Sequence, residues 1–350
     1  KGPLPFTGDE IQQLRELAEA GPFHEGTGSF SRDRSLKDAY LTAIEQRVEI
    51  GDSFKVVVDA GNGATGLVAP DLFRRLGCEV IELYCDLDGR FPHHLPDPSE
   101  TKNMQDLVAA VRQNQADLGF AYDGDGDRLG LVTDSGEIMS GDLIVALIAG
   151  EMLKRERGVV VFDLLSSRSL VDVIEDGGGV PRMAPTGYAR VMAEVKQSQA
   201  LIGGEASGHI FFGDDLFDFD DGIFASAKVL EALSKAGRKP SELAAGIPRY
   251  SSAPEVKLPC ADEYKFEVMD RLREHFGQRF PLVDLDGLRM ELGDGWASVR
   301  ASHTTPSIGV VFEAGTHKRL EEVRAMIRGE IAECCAKEIA SGVLGFEGYW

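Results

Sequence analysis

Short apolar runs alternate with longer segments of mixed polarity from about residue 35 to residue 235. The runs have the length of buried strands, and the longer segments repeat apolar residues at the spacing of an amphipathic helix. Strands that alternate with helices form parallel-type α/β layers. Predicted strands cover 54–59, 79–83, 117–122, 129–133, 158–162 and 201–203, and predicted helices cover 70–76, 102–113, 142–154, 167–175, 189–196 and 222–235.

The end of the chain follows a different order. Three strand-like runs at 287–291, 296–300 and 308–312 are grouped between two predicted helices, 263–276 and 318–340. Strands grouped in this way indicate a separate α+β domain. We therefore predict an α/β, multi-domain chain with mixed α/β layers and a C-terminal α+β domain.

Composition restricts the class of partner. The 350 residues carry a formal net charge of -21 and are 43% hydrophobic, so two or more domains are expected. Nucleic acids and anionic membranes bind basic surfaces, and this charge argues against both. Five cysteines without a CxxC pair, no apolar run that could span a bilayer and no visible signal peptide predict a cytoplasmic protein with reduced thiols.

The most informative motif is an acidic loop between two predicted strands. Asp123, Asp125 and Asp127 alternate with glycines that allow a tight turn, and Arg128 follows them. Carboxylate oxygens are ligands of hard divalent cations, and Mg²⁺ is favoured where a substrate phosphate shares the site. The alternative is a solvated acidic turn. The pattern favours a metal loop with a fixed positive charge beside it.

A second polar loop follows the predicted strand at 201–203. Glu205, Ser207 and His209 are groups that hydrogen-bond sugar hydroxyls, and the first two project to the same side of an extended loop. The Ser-His pair also allows a nucleophile and base, although residues this close in sequence rarely reach triad geometry. A purely structural turn is the remaining alternative.

A third polar loop lies between two strands of the last block. Arg300, Ser302, His303 and Thr304 combine a guanidinium group, hydroxyl groups and loop amides. Such groups form a phosphate cradle. Taken alone, the segment is equally consistent with a polar hairpin loop.

Two further motifs have structural explanations that we favour. The segment 61–66 matches the GxGxxG pattern of dinucleotide-binding turns, but a tight turn is the better interpretation. His93 and His94 could be metal ligands. Adjacent histidines in a proline-rich loop usually point apart, so a rigid loop near the substrate cleft is preferred.

Taken together and in order, these motifs resemble the α-D-phosphohexomutase superfamily, most of all its bacterial phosphomannomutase/phosphoglucomutase branch. The resemblance covers Asp59-x-Gly-Asn-Gly, Phe91 to Pro98, the DGDGDR and GExSGH loops, Asp220-Asp-Gly and Arg300-x-Ser-x-Thr-x-Pro. It implies four domains around a central cleft. On this basis we expect a remnant of domain 1 at 1–34, domain 2 at 35–138, domain 3 at 139–252 and domain 4 at 253–350.

The resemblance also implies roles for the three loops. Asp123, Asp125 and Asp127 would hold Mg²⁺, with Arg128 beside the phosphoryl group. The sugar hydroxyls would bind the second loop, and the non-transferred phosphate would bind the third. The implied reaction interconverts hexose 1-phosphate and hexose 6-phosphate, of mannose or glucose, through a hexose bisphosphate.

The chain departs from the family pattern in several places. The phosphoserine nucleophile lies in a Thr-x-Ser-His-Asn-Pro loop, which this sequence lacks, so we expect that segment to lie upstream of Lys1. Leu165 replaces a common Lys, Tyr188 a His and His303 an Asn. A non-catalytic sugar-phosphate-binding homologue and a phosphoglucosamine mutase therefore stay open as alternatives. An NAD-dependent enzyme is the weakest candidate.

Overall fold

Three β-sheets follow one another along the chain, each covered by helices. The computed structural model describes residues 6, 8–21, 23–33, 35–214, 216–217, 219–302 and 305–350. Within these residues, no helix is both long and apolar enough to cross a lipid bilayer. All five cysteines are free thiols.

The first sheet has five strands in the order β2-β1-β3-β4-β5, of which β1, β2 and β3 run parallel. Val56, Val57 and Val58 are fully buried, because helices cover both faces of this sheet. The elements up to this point are α1 (Gly8–Ala20), α2 (Leu36–Glu45), β1 (Lys55–Asp59), α3 (Ala69–Arg75), β2 (Glu79–Leu83), α4 (Gln105–Asn114), β3 (Leu118–Tyr122), β4 (Leu129–Thr133) and β5 (Ile138–Met139).

The second sheet repeats this plan with four strands in the order β7-β6-β8-β9. Strand β6 pairs in parallel with β7 and β8, and β8 turns back to pair antiparallel with β9. Its elements are α5 (Gly141–Leu153), β6 (Val159–Asp163), α6 (Arg168–Asp176), β7 (Val180–Ala184), α7 (Tyr188–Ser198), β8 (Ile202–Gly204), β9 (Ile210–Phe212), α8 (Gly222–Ala236) and α9 (Pro240–Ala245).

The first two sheets share one continuous hydrophobic core. Phe120 and Tyr122 from the first sheet belong to the same buried cluster as Leu147 in α5 and Phe224 in α8. The buried hydroxyl groups of Tyr122 and Ser226 are hydrogen-bonded at 2.8 Å across this junction. Residues on both sides of the expected boundary at 138/139 therefore depend on common packing.

The third sheet is antiparallel and has its own core, in which Phe276, Phe312 and Ile327 are fully buried. Strands β10, β15, β14, β13 and β12 follow one another across it, and β11 also pairs with β15. Its elements are β10 (Ser251–Ser252), β11 (Val256–Pro259), α10 (Asp262–Gly277), β12 (Leu282–Asp284), β13 (Leu288–Glu291), β14 (Gly295–Ala301), β15 (Ser307–Ala314), α11 (His317–Cys334) and α12 (Ala336–Ala340).

The structure corrects two details of the predicted elements. The helix predicted over 318–340 is interrupted at Cys335, whose fully buried side chain lies in the third core. The sheets also contain antiparallel pairs, because β4 returns beside β3 after the acidic loop and β9 returns beside β8 after the second polar loop. Both polar loops therefore lie at hairpin turns.

Candidate functional site

The three aspartates of the acidic loop converge on one point. Asp123, Asp125 and Asp127 lie between β3 and β4, and each offers a carboxylate oxygen within 4.8 Å of the other two. Gly126 has a φ of 91°, a conformation that other residues rarely adopt, and it allows this tight turn. The predicted metal ligands therefore lie together.

Asp123 is the anchored member of this group. Its Oδ1 accepts hydrogen bonds from the amides of Gly126 at 3.0 Å and Arg128 at 3.1 Å, and its Oδ2 accepts one from Arg128 Nε at 2.8 Å. Burial acts to raise the pKa of Asp123, but the hydrogen bonds from Arg128 outweigh it and lower the pKa. Asp123 is therefore held as a carboxylate.

Asp127 is the member of the group with an unsatisfied oxygen, because its buried Oδ1 accepts no hydrogen bond within the described part of the chain. Burial, followed by the hydrogen bond and negative charge of Asp123, raises the pKa of Asp127. A buried carboxylate oxygen without a donor is costly unless a cation meets it. The unsatisfied oxygen and its two neighbours, all hard oxygen donors, fit a divalent cation.

The second polar loop is organised by Glu205, which is only 3% exposed. Its Oε1 accepts a hydrogen bond of 2.6 Å from the amide of Gly187, and its Oε2 lies 2.9 Å from His209 Nδ1. Both carboxylate oxygens are thus engaged within the protein. Glu205 positions His209 and the start of α7, and its contact with sugar hydroxyls stays a prediction.

His209 links the second loop to the acidic loop. Burial acts to lower the pKa of His209, but its hydrogen bond with Glu205 and the charges of Glu205 and Asp127 outweigh burial and raise the pKa. Ser207 Oγ lies 3.1 Å from the same Nδ1, and Nε2 lies 3.7 Å from Asp127. Because Ser207 and Glu205 share one ring nitrogen, this is not the geometry of a Ser-His-acid triad.

The backbones of the two loops are joined. The amide of Leu129 donates a hydrogen bond of 3.0 Å to the carbonyl of Gly208, and the amide of Gly222 donates one of 3.0 Å to the carbonyl of Gly126. Two adjoining cavities of about 210 and 290 Å³ are both lined by Ser140 and Ala206. The acidic loop and the second polar loop therefore lie directly against each other, and Ser207 lines the smaller cavity.

Arg128 is also held by the proline-rich loop at 91–98. Its Nη1 donates a hydrogen bond of 3.0 Å to Asp97 Oδ1. His94 in the same loop contacts buried Asp59 at 3.1 Å, and this hydrogen bond raises the pKa of His94 to about 9. His93 Nδ1 lies 2.8 Å from Asn62 Oδ1. Both histidines therefore have partners that fix a rigid loop.

The predicted phosphate residues lie at the end of β14. Arg300 Nη1 lies 3.8 Å from Asp286 Oδ2, and Ser302 Oγ accepts a hydrogen bond of 3.1 Å from the amide of Thr305. His303 and Thr304 lie outside the described residues. Asp286 Oδ1 in turn accepts a hydrogen bond of 3.1 Å from the amide of Thr186 in the second sheet's domain.

A buried arginine that the sequence pattern did not single out joins the third sheet to the second. Arg289 donates hydrogen bonds to the carbonyls of Leu164 at 2.7 Å and Ser166 at 3.0 Å. Its guanidinium carbon lies 3.9 Å from the centre of the Trp296 ring. Strand β13 reads Leu-Arg-Met-Glu, and nothing in this pattern shows that Arg289 is the charged residue that is buried.

Two of the positions that depart from the family pattern border this region. Tyr188 begins α7, is 46% exposed, and its ring centre lies 6.1 Å from that of His209. Leu165 lines the larger of the two cavities together with Ala206 and Trp296. Tyr188 therefore lies beside the loop predicted to bind the sugar, and Leu165 lies in the cavity next to it.

Comparisons with known proteins agree with this arrangement. The chain matches phosphoglucomutase/phosphomannomutase alpha/beta/alpha domain II over residues 38–136, alpha/beta/alpha domain III over 140–250 and the C-terminal domain over 255–330. A phosphomannomutase/phosphoglucomutase from Pseudomonas syringae pv. tomato is 40% identical over 326 residues, which is 92% of this chain and 70% of that protein. A phosphoglucomutase from Neisseria meningitidis serogroup A is 38% identical over 332 residues, covering 93% and 72%.

A solved structure gives the same result. The crystal structure of a phosphoglucomutase/phosphomannomutase family protein from Burkholderia thailandensis matches with a TM-score of 0.87 and 37% identity, over 94% of this chain and 71% of that one. This chain therefore belongs to the phosphoglucomutase/phosphomannomutase family. The resemblance to phosphohexomutases and the multi-domain α/β class expected from the sequence are confirmed.

Proposed function

We propose that this chain forms the metal, sugar and phosphate sites of a hexose phosphate mutase, an intramolecular phosphotransferase that interconverts hexose 1-phosphate and hexose 6-phosphate. The main support for the proposal is the backbone hydrogen bond from Leu129, at the end of the acidic loop, to Gly208 in the second polar loop. A phosphoryl group at the first loop and a sugar at the second would share one cleft. The proposal is limited to these sites, because the Thr-x-Ser-His-Asn-Pro motif implied by the resemblance is not among the 350 residues.

We assign the acidic loop to Mg²⁺, held by Asp123, Asp125 and Asp127. Carboxylates of this kind, next to a substrate phosphate, favour Mg²⁺ over softer metals. Bound there, the ion would neutralise charge on the phosphoryl group. Arg128 adds a second, permanent positive charge, and Asp97 and Asp123 hold its orientation.

The remaining loops bind and orient the hexose phosphate. The contact with Glu205 raises the pKa of His209 and so favours the protonated ring, which can donate to a sugar oxygen, and Ser207 offers a hydroxyl beside it. Arg300 and Ser302 would bind the phosphate that is not transferred, through a guanidinium group and a hydroxyl group. Holding both ends of the substrate turns the transfer into a positioned, electrostatically stabilised step.

Calorimetric titration of this chain with glucose 6-phosphate, with and without Mg²⁺, tests the binding part. Fusing the phosphoserine domain of a family member to its amino end and following mannose 1-phosphate by ³¹P NMR tests the chemistry. We expect a 6-phosphate product with Mg²⁺, and none from the same fusion carrying Asp125→Asn. Binding without any product in the fusion would leave a sugar-phosphate-binding protein and overturn the mutase proposal.

A further inference from the structure

The carboxylate of Asp286 lies between two arginines that come from different domains. Its Oδ2 is 3.3 Å from Nη1 of Arg190, in the first turn of α7, and 3.8 Å from Nη1 of Arg300, on β14. The Asp286 side chain is 5% exposed, and this oxygen accepts no hydrogen bond from any residue that the structure describes. The guanidinium groups of Arg190 and Arg300 thus face a single buried oxygen without a hydrogen bond to it.

The balance of charge at this point is positive. One carboxylate faces two guanidinium groups, although the chain as a whole has a net charge of -21. The side chains of Arg190 and Arg300 are 48% and 24% exposed, so each has an outward part that can contact a ligand. Two planar guanidinium forks side by side match the geometry of a phosphate dianion.

The arginine pair is directly connected to the second loop. The amide of Thr186 donates a hydrogen bond to Asp286, and the amide of the next residue, Gly187, donates one to Glu205. Glu205 in turn holds His209. Two consecutive amides therefore tie the charged pair to the loop assigned to sugar binding, so a ligand on that loop can place its phosphate at the arginines.

We propose that Arg190 is a phosphate-binding residue that acts together with Arg300, and that Asp286 is an internal counter-ion that offsets part of their positive charge. The phosphate clamp is then built from two domains, one arginine from each. This inference rests on the proposed function, since its ligand is the non-transferred phosphate of a hexose phosphate. The clamp closes only when the second and third sheets are docked.

Calorimetric titration with glucose 6-phosphate tests the role of Arg190. Arg190→Ala should weaken binding about tenfold, because one charged hydrogen-bonding group is lost, while Arg190→Lys should lose less. Arg182→Ala is the matched control, since Arg182 is a 52% exposed arginine of the same domain that pairs with Glu194. That control should bind within about twofold of the wild-type chain.

The counter-ion is tested with Asp286→Asn, which keeps an acceptor for the Thr186 amide and removes the negative charge. Glucose 6-phosphate should then bind several-fold more tightly, because repulsion between Asp286 and the phosphate is gone. A residue that served only to join the domains would give no gain in affinity. Unfolding midpoints of each variant, measured in parallel, separate loss of affinity from loss of fold.

The outcomes distinguish this inference from the function on which it rests. If the wild-type chain gives no heat with glucose 6-phosphate, the proposed function itself fails. If the wild-type chain binds and Arg300→Ala weakens binding, but Arg190→Ala binds normally, only the two-domain clamp is overturned. Weaker binding by Asp286→Asn would contradict the counter-ion role of Asp286.

Discussion

The amide of Leu129 donates a hydrogen bond of 3.0 Å to the carbonyl of Gly208, and Arg128 and His209 form an isolated antiparallel bridge beside it. The loop that follows β3 and the loop that follows β8 are therefore continuous through their backbones. Side-chain contacts adapt when a residue changes, but a backbone contact fixes the distance between two loops. This contact therefore sets the distance between the proposed metal site and the proposed sugar site.

Replacing Gly208 by Ala should break this contact. Gly208 has a φ of 106°, and an added Cβ would lie 2.7 Å from the carbonyl oxygen of Leu129. We expect a loss of about 2 kcal/mol or more of unfolding free energy, from backbone strain and the clash. Urea unfolding monitored by circular dichroism measures it.

Gly329→Ala is the control for that substitution. Gly329 lies inside α11, and nothing approaches the position of its Cβ within 4 Å. Alanine there should be neutral or stabilise the chain by up to about 1 kcal/mol. If the Gly208→Ala chain were as stable as the wild-type chain, the two loops could move apart at Gly208 without loss of stability, which would contradict this prediction.

Asp125→Asn should reduce Mg²⁺ affinity with little effect on the fold. Asp125 is the exposed member of the aspartate group, so its loss removes a negatively charged ligand without exposing the core. We expect Mg²⁺ binding, measured by calorimetry, to weaken about tenfold or more. Asp176→Asn, at the exposed end of α6, is the control and should bind Mg²⁺ normally.

The contact between His94 and Asp59 should make stability depend on pH. Because the hydrogen bond to Asp59 raises the pKa of His94 to about 9, the folded state holds a proton that the unfolded state releases nearer pH 6.5. The stabilisation is complete below about pH 6.5 and is lost as the pH rises through about 9. The urea concentration at the midpoint of unfolding should therefore decrease as the pH is raised across this range.

His94→Gln removes the titrating group and should flatten this part of the pH profile. His24→Gln changes an exposed histidine and should leave the profile as in the wild-type chain. If the His94→Gln and wild-type profiles fall in parallel, another group is responsible.

Arg289→Lys should weaken the attachment of the third sheet. Arg289 donates to two carbonyls through Nη1 and to Glu291 through Nε. Lysine keeps the charge, but its single nitrogen cannot span these partners and it cannot stack on Trp296. A buried arrangement of this kind should lose roughly 2–4 kcal/mol, measured by chemical unfolding. Arg279→Lys, on an exposed arginine that pairs with Glu330 and Glu333, should change stability by less than about 1 kcal/mol.

The strands and helices of the first two sheets could be predicted because their hydrophobic patterns are local. The strand predicted at 129–133 matches β4, and the helix predicted at 222–235 matches α8 to within one residue. Strand β7 was not predicted, because it lies at a sheet edge, contains Pro181 and exposes alternate side chains. Its pattern differs little from that of a loop.

The candidate site was predictable where its residues form one segment. The aspartates 123, 125 and 127 lie together because a single turn brings them together. Asp286 and Arg190 were missed, since their partners lie about a hundred residues away and neither belongs to a recurring motif. The inward orientation of Glu205 was missed for a similar reason, because it depends on the amide of Gly187 in another loop.

The single core shared by the first two sheets has a consequence for how a ligand reaches the cleft. Those sheets cannot separate without exposing that core, whereas the third has its own core and is held to the second by polar contacts such as those of Arg289 and Asp286. The cleft should therefore open by movement of the third sheet alone, about the chain between α9 and β10. The rate of this domain movement would then set an upper limit on the turnover rate, whatever the rate of the chemical step.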